Sequence, residues 1–225
     1  MSSSAFIRFV RRELRQAANP EKPAPMAAYM KTEMPFYGVQ KPGRESVLKA
    51  ALKKHPLETR AEVAAAVEAL WALEHREEKY LAIRLARAFP EYVTMGSLPL
   101  YRRLIVEGAW WDFVDEVASK LIGHLVATQR AKMFAHLDRW IDHDDMWLRR
   151  TAIIAQLGLK DETDVDRLFA YCVKRSHEKE FFIRKAIGWA LREHAKTDPD
   201  AVRGFLDEHG DELSTLSSRE ASKHL

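Results

Sequence analysis

The sequence is poor in the features that mark several common classes of protein. It holds one cysteine, Cys172, in 225 residues. No disulfide can therefore form within the chain, and the ordinary state of such a residue is a small buried apolar side chain. No apolar run approaches the roughly 20 residues of a membrane-spanning helix. The first apolar stretch is interrupted by Arg8, Arg11, Arg12 and Arg15, which argues against a secretory signal. We expect a cytoplasmic protein, because unpaired cysteine is compatible with a reducing compartment.

Motifs for nucleotide, metal and nucleophile sites are also missing. The chain has no GxxxxGK[ST], GxGxxG, HExxH, GxSxG or CxxC motif. His143, Asp144 and Asp145 are potential metal ligands, but consecutive polar residues at a helix start more often cap that helix. We expect no metal and no cofactor. The net charge of +3 is mildly basic and permits a nucleic-acid partner without requiring one.

Helical periodicity runs through almost the whole chain. Ala, Leu, Glu, Arg and Lys dominate, and Val, Ile and Thr never alternate with polar residues as they do in strands. Proline and glycine mark the breaks, and KPGR at 41–44 is predicted as a turn before a helix. The predicted helices lie near residues 3–18, 24–33, 44–54, 60–73, 76–89, 98–106, 110–127, 129–141, 145–158, 163–175, 178–196, 199–209 and 217–224.

A weak repeat underlies this pattern. Tryptophans at 71, 111, 147 and 189 recur at intervals of roughly 35–45 residues, and AIRLARAF, RRTAIIAQ and IRKAIGWA resemble one another. Helix pairs of this length are typical of HEAT-like arrays, which curve and bind along their concave side. Chance similarity among amphipathic helices is the competing explanation. The prediction is an all-α, HEAT-like helical repeat array, a curved α-solenoid, forming a single domain over residues 1–225.

The stretch GAWWDFVDEVASKLIG places two tryptophans side by side. In a helix, Trp110 continues the apolar stripe of Phe113, Val114, Val117 and Leu121. Trp111 and Asp115 lie four residues apart on a different side, where the core does not need them. An ordinary surface acid paired with a lysine or arginine is the commoner state of an aspartate, and periodicity alone favours it.

The helix predicted over 178–196 has the same organisation. Lys185, Trp189 and Arg192 share one face, whereas the apolar stripe consists of Ile183, Ile187, Ala190 and His194. Trp71 and Trp147 are interpreted as core residues covered by long basic side chains.

Longer strings carry a resemblance to a known family. WWDFVDEVASKLIG, WLRRTAIIAQL, KEFFIRKAIGWALREHAKTDP and LSSREASKHL resemble the AlkD-type DNA alkylation repair glycosylases, as does NPEKPAPMAAYMKTEMPFYGVQKPGR near the N-terminus. The similarity extends over nearly the whole chain. Phe113 and Thr151 depart from the residue types usual in that family, without affecting the functional positions.

The resemblance implies an enzyme that acts on DNA. Members hold duplex DNA in the concave face and remove N3- and N7-alkylated purines without flipping the base. The family's two aromatics and acid fall on Trp111, Trp189 and Asp115. A DNA-backbone arginine falls on Arg150, and a cleft tyrosine falls on Tyr29.

Other expectations and alternatives accompany this prediction. Lys185 and Arg192 are expected to extend the phosphate contacts, and the protein is expected to act as a monomer. A non-catalytic HEAT-like DNA-binding protein and a protein-interaction scaffold remain open, although keeping the acid with both aromatics disfavours them. A bifunctional glycosylase with Lys185 as Schiff-base nucleophile needs a depressed lysine pKa, of which the sequence gives no sign.

Overall fold

The structure is a computed structural model that describes residues 2–225, with side chains from residue 4 onward. Within this range the chain forms α-helices, one π-helical segment and short 3-10 turns, and no strand. The predicted all-α fold is confirmed. By its internal contacts the chain divides into two compact units, Met1–Val93 and Thr94–Leu225. The single domain over 1–225 and its curvature stay predictions.

The helices of each unit follow the predicted order closely. The N-terminal unit contains α1 (Ser2–Gln16), α2 (Pro23–Met30), α3 (Lys41–Lys54), α4 (Arg60–Trp71) and α5 (Arg76–Arg87). The C-terminal unit contains α6 (Leu98–Gly108), α7 (Trp111–Glu116), α8 (Gly123–Thr128), α9 (Arg130–Trp140), α10 (Met146–Ile154), α11 (Val165–Lys174), α12 (Phe181–Ala195), α13 (Pro199–His209) and α14 (Thr215–Ala221).

The core of the N-terminal unit lies where α1 packs against α3 and α4. Phe6, Val10 and Leu14 of α1 are fully buried, as their helical spacing requires. A buried carboxylate fixes the loop before α3: Glu77 accepts hydrogen bonds from the backbone N–H groups of residues 37, 38 and 39. Gly38 is needed in this loop because its φ is +83°, where other residues are strained.

The turn predicted at KPGR is wrong. Helix α3 already begins at Lys41, so Pro42 and Gly43 belong to its first turn. Proline is favoured there, because its missing N–H has no intrahelical partner at that position.

The C-terminal unit is organised around α10, which packs against α6, α7, α9, α11 and α12. Its Leu148, Ile153 and Ile154 are buried. The predicted helix over 110–127 is interrupted: a π-helical segment, Val117–Ile122, separates α7 from α8. Such segments insert one residue into an α-helix and are frequent at functional sites.

Cys172 is completely buried, as predicted, and burial raises the pKa of its thiol. Among the helices described, none combines the length and the apolar character that a membrane span requires.

Candidate functional site

The site begins at a tight reversal of the chain between α6 and α7. Ala109 adopts a left-handed conformation with φ 39° and ψ 36°, and Trp110 is extended, with φ −152° and ψ 146°. For a residue with a Cβ the left-handed conformation costs roughly 1–2 kcal/mol. The reversal makes Trp111 the first residue of α7 and places Asp115 one turn later.

Asp115 is bound by an arginine from α10. Arg150 donates from Nε to Oδ1 at 2.7 Å and from Nη2 to Oδ2 at 2.8 Å, so the pair is bidentate. The third contact of the guanidinium runs from Nη1 to the backbone carbonyl of Phe182 on α12, at 2.5 Å. The side chain of Arg150 is 3% exposed and that of Asp115 is 16% exposed. One buried arginine thus connects α7, α10 and α12.

An aromatic cluster holds the same three helices together. The ring centroid of Trp110, just before α7, lies 6.3 Å from that of Trp147 on α10 and 5.4 Å from that of Phe182 on α12. The Trp147 and Phe182 centroids are 4.9 Å apart. These distances are in the range of favourable aromatic pairs. The cluster gives Asp115 and Arg150 a rigid frame, because it fixes the N-terminal ends of the helices that carry them.

Burial is the main influence on the acidity of Asp115. Desolvation raises the pKa of its carboxyl, and the hydrogen bonds and charge of Arg150 act in the opposite direction. The neighbouring carboxylate of Asp112 raises the pKa further, so the net change is upward. The site therefore holds a carboxylate whose ionised form depends on its arginine partner.

The tryptophans fall into two groups. Trp71, Trp140 and Trp147 are buried, which confirms the core interpretation of Trp71 and Trp147. Trp110, Trp111 and Trp189 are half-buried. This is expected for Trp111 and Trp189, which lie outside the apolar stripes of their helices. Trp110 was predicted to continue the core stripe, but it precedes α7 in an extended conformation and packs against Trp147 and Phe182 without being fully buried. The stripe of α12 that was predicted beside Trp189 is buried throughout. Trp111 and Trp189 stand on α7 and α12, and both helices pack against α10.

Lys185 and Arg192 meet at a carboxylate that the sequence prediction missed. Lys185 Nζ lies 2.6 Å from Oε2 of Glu220 on α14, and Arg192 forms an ion pair with Oε1 of the same group. Partial burial lowers the pKa of Lys185, and the charges of Lys223, Arg192 and further arginines add to this shift. This shift is in the direction that a Schiff-base lysine requires.

Tyr29 belongs to the N-terminal unit. It lies on α2, a helix without a buried residue, and is 72% exposed. With Met26, Phe36, Arg44 and Tyr80 it lines a cleft of about 300 Å³. Most of this aromatic side chain is thus open to solvent.

The residues His143, Asp144 and Asp145 lie at a helix start, and Asp145 caps that helix, as predicted. Asp145 Oδ1 accepts from the N–H groups of Trp147 at 2.8 Å and Leu148 at 3.1 Å, at the start of α10. His143 Nδ1 in turn accepts from the N–H of Asp145. Across residues 2–225, no cluster of three or more His, Cys, Asp or Glu has the arrangement of a metal site.

Two functional candidates, Phe182 and Glu220, could not be found from periodicity. Phe182 acts through a backbone carbonyl and a ring, and Glu220 through a contact across two helices. In the sequence, Phe182 is marked only by a second phenylalanine at 181. Glu220 is marked only as the single acid in the basic C-terminal string SREASKH.

Comparison with known proteins gives a consistent result. Residues 10–225 match the family described as DNA alkylation repair enzyme. A predicted DNA alkylation repair enzyme from Enterococcus faecalis is similar in structure, with a TM-score of 0.85 and 34% sequence identity over 92% of this chain and 96% of that one. The protein smu.31 from Streptococcus mutans UA159 shares the fold, with a TM-score of 0.63 and 15% identity over 80% of this chain and 92% of that one. Among curated proteins, none matches this chain.

Proposed function

The chain belongs to the DNA alkylation repair enzyme family, and on that premise we propose that it is a monofunctional DNA glycosylase. Its substrate is duplex DNA carrying purines alkylated at N3 or N7, and its reaction is hydrolysis of the N-glycosidic bond. The observation that carries the proposal is the half-buried carboxylate of Asp115, which is held by Arg150 and lies one turn from the half-buried ring of Trp111.

The chemistry of the substrate explains why a carboxylate can catalyse the reaction without a general acid. A purine alkylated at N3 or N7 is cationic. When its bond to C1′ breaks, the electron pair stays with the base, which leaves as a neutral molecule without prior protonation. Positive charge develops on the sugar instead, so the enzyme must stabilise an oxocarbenium-like transition state.

Asp115 meets this requirement. A negative charge held in place near C1′ stabilises the developing positive charge, and it is most effective when it needs no reorganisation. The two hydrogen bonds from Arg150 provide that rigidity. Asp115 also orients the attacking water, which adds to C1′ as the bond to the base breaks and gives its proton to the carboxylate, from which it passes to solvent.

Trp111 and Trp189 supply aromatic faces beside the reacting sugar. Each face attracts positive charge, which is worth roughly 0.5–2 kcal/mol depending on desolvation. Packing of flat rings against deoxyribose needs no deep pocket. The proposal therefore includes excision without base flipping, unlike most glycosylases.

DNA is held through its backbone, which carries no sequence information. We assign this role to Tyr29, Lys185 and Arg192. For Arg150, three of the five N–H groups hold Asp115 and Phe182, and the side chain is 3% exposed. We propose that it chiefly positions Asp115 and that its predicted phosphate contact uses a remaining N–H group when DNA is bound. The enzyme acts as a monomer, without metal or cofactor.

The lowered pKa of Lys185 bears on the bifunctional alternative. A Schiff base requires a neutral amine. The ammonium group of Lys185 is in an ion pair with Glu220 at 2.6 Å, which favours the protonated form. This contact supports hydrolysis by water over attack by lysine. The ion pair of Asp115 with Arg150 alone would also suit a non-catalytic DNA-binding protein or a scaffold, because such a pair stabilises the packing of helices. The half-buried ring of Trp111 one turn from the acid, outside the apolar stripe, favours the enzyme.

The direct test is incubation of the pure protein with methylated duplex DNA and measurement of free alkylpurine. We expect release of N7-methylguanine or N3-methyladenine, no release from unmethylated DNA, and abasic strands that break only after alkali. DNA bound but left intact would support the non-catalytic alternative. Strand breaks without alkali would support the bifunctional one.

A further inference from the structure

The C-terminal helix carries a buried acid surrounded by basic side chains. Glu220 is 4% exposed, and its Oε2 lies 2.6 Å from Nζ of Lys185 and 2.8 Å from Nζ of Lys223. Its Oε1 pairs with Arg192. We call these four residues the Glu220 cluster. It joins α12, which carries Lys185 and Arg192, to α14 and the turn that follows it.

Close packing of the two helices positions the cluster. A Cβ atom on Gly188 of α12 would lie 2.6 Å from Cβ of Glu220 and 2.7 Å from the carbonyl of Ser217, so only glycine allows this approach. The hydroxyl of Ser217 donates to the carbonyl of Arg184 at 2.9 Å and fixes the register. The cations of the cluster are thus held by a rigid support.

The charges of the cluster do not balance. Three cations surround one carboxylate, and the neighbouring Arg219 is exposed. The carboxylate is covered, whereas the side chains of Lys185, Arg192 and Lys223 are 37%, 24% and 49% exposed. These cations repel one another. The pKa of Lys185 is lowered first by partial burial and then by the positive charges of Lys223, Arg192, Arg219 and Arg150. The solvent-exposed side of the cluster therefore carries a net positive charge.

We propose that the Glu220 cluster binds a phosphate of the DNA backbone, with Lys223 as a ligand alongside Lys185 and Arg192. An ammonium group has three N–H donors and the contact with Glu220 uses one, so each lysine keeps donors for a phosphodiester. The ester supplies the missing negative charge. Glu220 gathers the three cations and prevents them from spreading apart. This inference rests on the proposed function and adds Glu220 and Lys223 to it.

The alternative is that the cluster only clamps α14 onto α12. The salt dependence of DNA binding separates the two, because a structural clamp releases no counterions from DNA. Each phosphate contact contributes about 0.9 to the slope of log K against log[salt] for duplex DNA. We therefore propose to measure binding of a short unmodified duplex over a series of salt concentrations.

The variants are Lys223→Ala, Lys223→Arg and a matched control, Lys196→Ala. Lys196 is 48% exposed and pairs with Glu193 on α12 at 2.7 Å, so its exposure and pairing resemble those of Lys223. The slope of log K against log[salt] is negative, and we expect Lys223→Ala to make it less steep by about 0.9. Lys223→Arg should restore the wild-type slope, and Lys196→Ala should leave it unchanged. Melting temperatures of all variants show whether α14 stays docked.

A wild-type slope in Lys223→Ala would overturn the inference, and so would equal losses in Lys223→Ala and Lys196→Ala. Excision by the wild-type protein is measured on the same preparations. If the wild type excises alkylpurine but Lys223→Ala keeps the full slope, only the inference fails. If the wild type neither binds nor excises, the proposed function fails with it.

Discussion

The pair formed by Asp115 and Arg150 combines a stability role with the proposed catalytic role. Arg150 is buried and Asp115 is half-buried, so both charges lose hydration, and their bidentate contact offsets that loss. Removing one partner of such a pair typically costs about 3–5 kcal/mol, because the other charge stays buried. Any variant at either position must therefore be checked for folding before its rate is interpreted.

The pH dependence of excision follows from the same pair. The reaction needs the ionised carboxylate, and the pKa of Asp115 is raised, chiefly by burial. We expect the single-turnover rate to rise with pH and to level off, with its midpoint above the ordinary range for an aspartate. The measurement subtracts the uncatalysed loss of base at each pH. A rate that is flat from the ordinary aspartate range upward, or that falls as the pH rises, would contradict this assignment.

Replacement of Trp189 tests the aromatic contribution. Trp189→Ala removes a face worth roughly 0.5–2 kcal/mol, so we expect single-turnover excision to slow by about 2-fold to 30-fold. Trp189→Phe keeps an aromatic face and should retain more of the rate. Because much of Trp189 is shielded from solvent, Trp189→Ala should also lower the melting temperature, and rates are compared only at temperatures where both proteins are folded. An unchanged rate in a folded Trp189→Ala protein would remove this residue from the site.

The residues of the site were predictable to different degrees. Helical spacing separates Trp111 and Asp115 from the apolar stripe of α7, so their position outside the core can be derived from the sequence. The partner of Asp115 cannot be derived in this way, since Arg150 lies on another helix. Periodicity shows which face a helix buries but not which two polar faces meet. Glu220 was missed for the same reason.

At the scale of elements, two local departures from the prediction have physical causes. The sequence over 110–127 has an unbroken helical pattern, yet residues 117–122 are π-helical. A π-helix differs from an α-helix only in that backbone N–H groups bond to the carbonyl five residues earlier instead of four. Which pattern forms depends on how the segment packs against its neighbours. Gly123, where a Cβ would lie 3.0 Å from the carbonyl of Ala155, belongs to that packing. At Lys41–Arg44, proline and glycine indicate a turn, but both are acceptable in a first helical turn.

Two glycines in helices provide a matched test of how α14 is docked. Gly188→Ala would place a Cβ 2.6 Å from Glu220 Cβ and 2.7 Å from a backbone carbonyl. Overpacking of this kind costs about 1–3 kcal/mol. Gly204 in α13 has nothing within 4 Å of its added Cβ. Gly204→Ala should therefore stabilise by about 0.5–1 kcal/mol through helix propensity.

Thermal or urea unfolding measures both effects. We expect Gly188→Ala to lower the free energy of unfolding and Gly204→Ala to raise it. If both variants gain stability, α14 is not packed as closely on α12 as described.

At the scale of the whole molecule, the all-α fold was predictable because strong helical periodicity runs along nearly the entire chain. The family match over residues 10–225 agrees with the resemblance of the tryptophan-containing strings. Curvature of the array depends on small rotations between successive helix pairs, which a sequence pattern does not specify. The concave DNA-binding face accordingly remains part of the proposal.

The whole reaction should be independent of divalent metal. A cationic base leaves without a Lewis acid, and no metal-site cluster of three or more His, Cys, Asp or Glu occurs in the part of the chain described. We expect the excision rate to be the same in EDTA and in magnesium at equal ionic strength. Ionic strength is matched because phosphate contacts make DNA binding depend on salt. Loss of activity in EDTA, with recovery on adding a divalent ion, would contradict the proposed chemistry.

The central claim is that the charge of Asp115 stabilises the sugar cation, and Asp115→Asn tests it most directly. The amide keeps the shape of the side chain and removes its charge. At saturating protein we expect release of N7-methylguanine to slow on the order of 10²–10³-fold, as for loss of one preorganised electrostatic group. Asp112→Asn, one turn earlier on α7, is the matched control and should stay close to the wild-type rate. Circular dichroism and DNA binding verify that both variants are folded. Wild-type excision by a folded Asp115→Asn protein would contradict the claim, and Asp115 would then be a structural partner of Arg150 alone.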